Sequence, residues 1–66
     1  MASELRLAYV RQLLERHGWS LTRISGSHHI FTKPDNLPIS IPVHGDRVKA
    51  VYVRKIEKII RETSEG

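Results

Sequence analysis

Apolar residues recur at helical spacing at both ends of this chain and at alternate positions in the middle. That double change of period leaves few folds open. Leu7, Val10, Leu13, Leu14 and His17 fall three and four residues apart, while Arg11, Gln12 and Glu15 fall between them. This is one face of an amphipathic helix, expected from about Glu4 to His17. Ser3 is placed to cap its first turn, because its hydroxyl can accept from a free backbone N–H. Gly18 is placed to end it in a left-handed conformation.

From Trp19 to Ser25 the period is two, with Trp19, Leu21 and Arg23 alternating with Ser20, Thr22 and Ile24. Gly26-Ser27 breaks the run and reads as a tight connection, and His28 to Lys33 reads as a second strand. Pro34-Asp35-Asn36 has the composition of a turn. A third strand is expected over Leu37 to Val43, with Ile39, Ile41 and Val43 on one face. Pro38 and Pro42 lack an N–H, which suits an edge strand or one irregular at its ends. His44-Gly45-Asp46-Arg47 reads as a loop. Tyr52, Val53, Ile56, Ile59 and Ile60 then return to helical spacing, with Arg54, Lys55, Lys58 and Arg61 on the other side. The tail from Thr63 to Gly66 is expected to fray. The order is helix, strand, strand, strand, helix. Its simplest packing is α+β, a three-stranded antiparallel sheet with both helices on one face and the other face open.

The chain has 66 residues and no cysteine, so neither a disulfide framework nor a thiolate metal site can stabilise it. It reads as one domain over residues 1–66, a monomer or weak dimer when free. No apolar run is long enough to span a bilayer, and the first residues lack the layout of a signal peptide. The expectation is a cytoplasmic protein with no membrane association. Eleven Lys and Arg against seven Asp and Glu leave a formal charge of +4, which favours a polyanionic partner. An acidic protein would satisfy the same charge.

Four histidines carry most of the chemical options. His28 is either a strand-start residue making a turn hydrogen bond or a proton-transfer group, since imidazole changes charge near neutral pH. His29, its neighbour, points to the opposite face in a regular strand and reads as a packing or surface residue. His17 closes the first helix on its apolar side. His44, at the end of the third strand, could approach the His28 end of the sheet if the second and third strands form a hairpin. Zinc is disfavoured, because adjacent strand histidines diverge and no His-x-His, His-x-x-x-His or Cys pattern is present. Arg54, Lys55 and Lys58 serve either as a solvated helix face or as contacts to a phosphate backbone or an acidic partner. Trp19 and Tyr52 serve either as core or as platforms for a stacked base.

The element order is similar to that of double-stranded-RNA-binding domains. His17-Gly18-Trp19, Gly26-Ser27-His28-His29-Ile30-Phe31, Pro34-Asp35 and Ile41-Pro42-Val43-His44, in that order, resemble the HicA family of toxin–antitoxin systems. The resemblance runs from about Leu5 to Ile60. It implies a ribonuclease that degrades messenger RNA, arrests growth and is held inactive by a HicB-type antitoxin. It also implies that the histidine after Gly-Ser, here His28, is catalytic.

The expected chemistry needs neither metal nor cofactor. The RNA 2′-hydroxyl is the nucleophile and His28 is its general base or the general acid. Ser27 donates to a phosphate oxygen, Gly26 lets the substrate approach closely, and Lys or Arg side chains stabilise charge. His44 is the candidate residue for the second acid–base role, with a lysine or water as the alternatives. One departure stands out. The family commonly starts its last helix with a Gly-Thr-Leu-Arg type segment, where this chain has Val51-Tyr52-Val53-Arg54. The cap of that helix is therefore expected from Asp46 or another upstream group, or not at all. Two rival functions share the same surfaces: a non-catalytic RNA-binding module, and a small protein-interaction domain.

Overall fold

The computed structural model describes residues 3–63. Its elements in chain order are β1 (Glu4–Arg6), α1 (Leu7–Arg16), β2 (Ser20–Ser25), β3 (His28–Thr32), β4 (Ile39–Pro42), β5 (Arg47–Lys49) and α2 (Ala50–Thr63). Strands β2, β3 and β4 form the antiparallel sheet expected from the sequence, with β3 in the centre. Both helices lie against one face of it, so the molecule is α+β with a double-stranded-RNA-binding-domain-like arrangement.

Alternation explains which face is covered. Phe31 on β3 pairs with Leu21 on β2 and Ile39 on β4, and Ile41 pairs with His29. Phe31, Ile39 and Ile41 are buried together with Val10 and Leu14 of α1 and Val53, Ile56 and Ile60 of α2. Trp19, Val43 and Val48 complete this cluster. The intervening residues, His28, Ile30 and Thr32 on β3 with Ser40 and Pro42 on β4, lie on the uncovered face.

The first helix ends as the sequence suggests. Gly18 has φ +88°. The Trp19 N–H donates to the Leu14 carbonyl at 3.0 Å and the Gly18 N–H to Glu15 at 3.2 Å. These two bonds are a Schellman motif, and its usual apolar contact is supplied by Trp19 and Leu14, both buried. The turn after β3 also follows its composition. Asn36 N–H donates to the Lys33 carbonyl at 3.1 Å, and Asp35 takes φ +66° after Pro34, a type II arrangement.

The start of the first helix differs from expectation. It begins at Leu7, because Glu4–Arg6 is a strand paired with β5 in the register Glu4↔Lys49, Leu5↔Val48, Arg6↔Arg47. Its N-cap is Arg6, with no side-chain cap, so Ser3 does not fill that role. Instead the ladder runs on into both helices. Leu7 N–H donates to the Asp46 carbonyl at 2.7 Å, and Ala50 N–H donates to the Ser3 carbonyl at 2.8 Å. Each helix thus has its first free N–H satisfied by the residue just before the strand leading into the other. Asp46, one of the alternatives expected for capping the last helix, serves α1 through its main chain. His44–Arg47, expected as a loop, is a tight turn: His44 and Arg47 exchange backbone bonds of 3.0 Å around Gly45-Asp46. The third strand is shorter than expected, beginning at Ile39 after Pro38. Of the tail expected to fray, Thr63 closes α2 with its hydroxyl donating to the Ile59 carbonyl at 2.8 Å. The rest of it, residues 64–66, lies outside the described residues, as do residues 1 and 2.

Candidate functional site

His28 opens β3 directly after the two-residue loop Gly26-Ser27, and it is exposed. Gly26 has φ +59° at the first loop position, which suits the II′ turn that joins twisted strands without splaying them. A Cβ built on Gly26 meets nothing within 4 Å, so the glycine is required by the backbone and not by crowding. Gly26→Ala is accordingly expected to cost about 1 kcal/mol through left-handed strain alone. Urea unfolding that matches the unsubstituted protein would show the turn to be of another type.

The loop is tied down from the far side. Val43 N–H donates to the Ser27 carbonyl at 2.7 Å. That bond makes the adjacent pair His28↔Pro42 a non-hydrogen-bonded one, the kind with the shorter separation between strands. Pro42 therefore needs no N–H toward β3, which is why a proline is tolerated on β4. Its ring stands directly across from His28. On the other side His28 faces Ser25 of β2, with Arg23 one pair further along on the same face.

The structure places the remaining histidines differently. His29 lies on the helix side of β3, half-buried, and its Nδ1 is buried with no hydrogen-bond partner among the described residues. His17 is half-buried at the C-cap of α1. His44 is exposed and follows Val43, the residue bonded to Ser27. Its backbone is therefore at the His28 end of the sheet. No group of three or more His, Asp or Glu that could hold a metal ion occurs among the described residues.

Arg54, Lys55 and Lys58 are exposed on α2, outside its buried stripe of Val53, Ile56 and Ile60. That stripe packs on the covered face of the sheet, so the core and the sheet stand between these cations and His28. Lys55 Nζ lies 5.7 Å from the centroid of the Tyr52 ring, an attractive contact of a cation with a π face. Tyr52 is half-buried and Trp19 is 1% exposed, so of the two aromatic residues Trp19 belongs to the core. A hollow of about 480 Å³ lies beyond the opposite end of β3, between Leu37-Pro38 and Ile59 and Thr63 of α2. Its lining is mainly apolar and carries none of the histidines. Ser25 and Arg23 beside His28 were not expected from the sequence: the register set by the Gly26-Ser27 loop puts Ser25 opposite His28 and Arg23 two residues back on the same face, whereas the alternation with Trp19 and Leu21 pointed Arg23 the other way.

Among the described residues no helix is long and apolar enough to cross a membrane. No curated protein matches the chain. The family model described as HicA toxin of bacterial toxin–antitoxin matches residues 9–62, from Tyr9 in α1 to Glu62 in α2, and the chain belongs to that family.

Proposed function

We propose that this toxin is an endoribonuclease that cuts messenger RNA in the cytoplasm by metal-independent chemistry at His28, and that a HicB-type antitoxin holds it inactive. The observation that carries the reading is the setting of His28. It is exposed on the open sheet face, next to a loop anchored by the Val43–Ser27 bond. A general acid or base must reach substrate while its backbone stays fixed, and this position meets both demands.

In such a reaction the 2′-oxygen attacks the adjacent phosphorus, a proton leaves the 2′-hydroxyl, the bond to the 5′-oxygen breaks, and that oxygen takes up a proton. His28 performs one of the two transfers. His44, a lysine or water performs the other. Ser27 offers its hydroxyl to a phosphate oxygen, while its carbonyl is already used by Val43. Gly26, with open space where a side chain would stand, leaves room for the sugar-phosphate chain. Arg54, Lys55 and Lys58, on the other layer, contact a more distant stretch of RNA backbone or the antitoxin.

Incubating the purified chain with RNA in excess chelator tests the reading. New fragments ending in a 2′,3′-cyclic phosphate are expected. RNA that is bound but stays intact would instead identify a non-catalytic RNA-binding module.

A further inference from the structure

Strands β2 and β3 pair as Ser25↔His28, Ile24↔His29 and Arg23↔Ile30, and then the register slips to Leu21↔Phe31. Thr22 is the extra residue. Its hydroxyl donates to the Ile30 carbonyl at 3.2 Å, which holds the irregularity in place. The consequence is a change of face. Leu21, opposite Phe31, is on the covered side, and in a regular strand Arg23 would share it. The inserted Thr22 instead puts Arg23 opposite Ile30, on the open face with Ser25 and His28.

Several observations give that placement a purpose beyond keeping a charge out of the core. The open face is formed by Ser20, Arg23 and Ser25 of β2, His28, Ile30 and Thr32 of β3, and Ser40 and Pro42 of β4. Arg23 is the one Lys or Arg among these strand residues. It is a diagonal neighbour of His28, because Ser25 lies directly across from His28 and Arg23 is two residues back. Diagonal positions are about 7–8 Å apart, a span that an arginine side chain covers. Arg23 is exposed, and it takes part in neither the Arg11–Glu15 nor the Arg47–Asp46 pair. Its guanidinium is therefore available to an anion near His28, with a fork of N–H donors that matches two phosphate oxygens.

We propose that Arg23 engages the phosphate undergoing cleavage chiefly in the transition state, offsetting the charge that grows on its non-bridging oxygens as the 2′-oxygen attacks. The role rests on the ribonuclease reading and refines it. Arg23 transfers no proton in this role; the two proton transfers remain with His28 and its counterpart.

The test compares the unsubstituted chain, Arg23→Ala, Arg23→Lys and His28→Ala on a short single-stranded oligoribonucleotide in excess chelator. Arg23→Ala is expected to lower kcat by about 100-fold, the scale of losing one donor to a charged transition state. Arg23→Lys should recover about a tenth or more of the original kcat, because it keeps the charge but loses the fork. Binding of an all-deoxy oligonucleotide, which cannot react, should change less than about threefold, and thermal unfolding should not move. Cleavage by Arg23→Ala at the original kcat, or a loss confined to KM, overturns the assignment while His28-dependent cleavage stands. Absence of cleavage by the folded, unsubstituted chain overturns the ribonuclease reading and Arg23's role with it.

Discussion

His28→Ala should lose RNA cleavage by about 10²–10⁴-fold, the usual contribution of a positioned acid or base, while remaining folded. The two halves of this expectation rest on different facts. Loss of activity follows if the imidazole carries a proton to or from the reacting oxygens. Retention of the fold follows from exposure, since His28 is on the uncovered face and forms no side-chain hydrogen bond among the described residues. What fixes the strand start is the Val43–Ser27 backbone bond and the turn at Gly26, neither of which needs the imidazole. Stability should change by less than about 0.5 kcal/mol, as for other exposed substitutions. Fragment analysis on RNA, thermal unfolding and growth after induction check the two halves separately. Undiminished cleavage and growth arrest by this variant would remove His28 from the mechanism.

Much of this site was legible in the chain, and the reason is physical. Gly-Ser between two alternating runs is a strong turn signal, because glycine supplies the positive φ that a two-residue hairpin loop demands. Alternation then assigns His28 and His29 to opposite faces without further information. The same reasoning foresaw the end of α1 at Gly18 and the turn at Pro34-Asp35. Each of these depends on one or two residues whose backbone preferences override their neighbours.

The missed features are those that depend on pairing across distance. Glu4-Leu5-Arg6 and Arg47-Val48-Lys49 each alternate charged, apolar, charged, but three residues are too few to establish a period. The first of them also falls in phase with the helix that follows it, so the helix absorbed it. Only the partner strand distinguishes the two readings. The cross-supply of Ser3 and Asp46 carbonyls to α2 and α1 is a property of that pairing and has no local signature. Arg23 is a subtler case. Its alternation with Trp19 and Leu21 is real in the sequence and false in the sheet, because Thr22 is skipped in the ladder. Side-chain cations on α2 were a visible group, yet the sequence alone does not say which layer faces His28.

Phe31→Ala is expected to unfold most of the protein, and its neighbour Ile30→Ala is not. Phe31 is 0% exposed on the middle strand, flanked in register by Leu21 and Ile39. Truncating a buried phenylalanine costs about 3–5 kcal/mol through lost transfer energy and the cavity left behind. In a chain of 66 residues a single core rarely supplies more than about 3–5 kcal/mol of net stability, so one such cavity removes most of it. Ile30 sits one residue away on the open face and is half-buried. Less of its surface leaves water on folding, and no enclosed void remains when it is shortened, so about 1 kcal/mol is expected. Urea titrations of the two variants measure the difference. Equal losses, or a larger loss at Ile30, would show that β3 presents its other side to the helices. The ordering also separates two routes to a harmless toxin. Phe31→Ala should abolish growth arrest because little folded chain remains, with the far-ultraviolet circular dichroism lost in parallel. His28→Ala should abolish it with that signal intact, and only the second outcome speaks to chemistry.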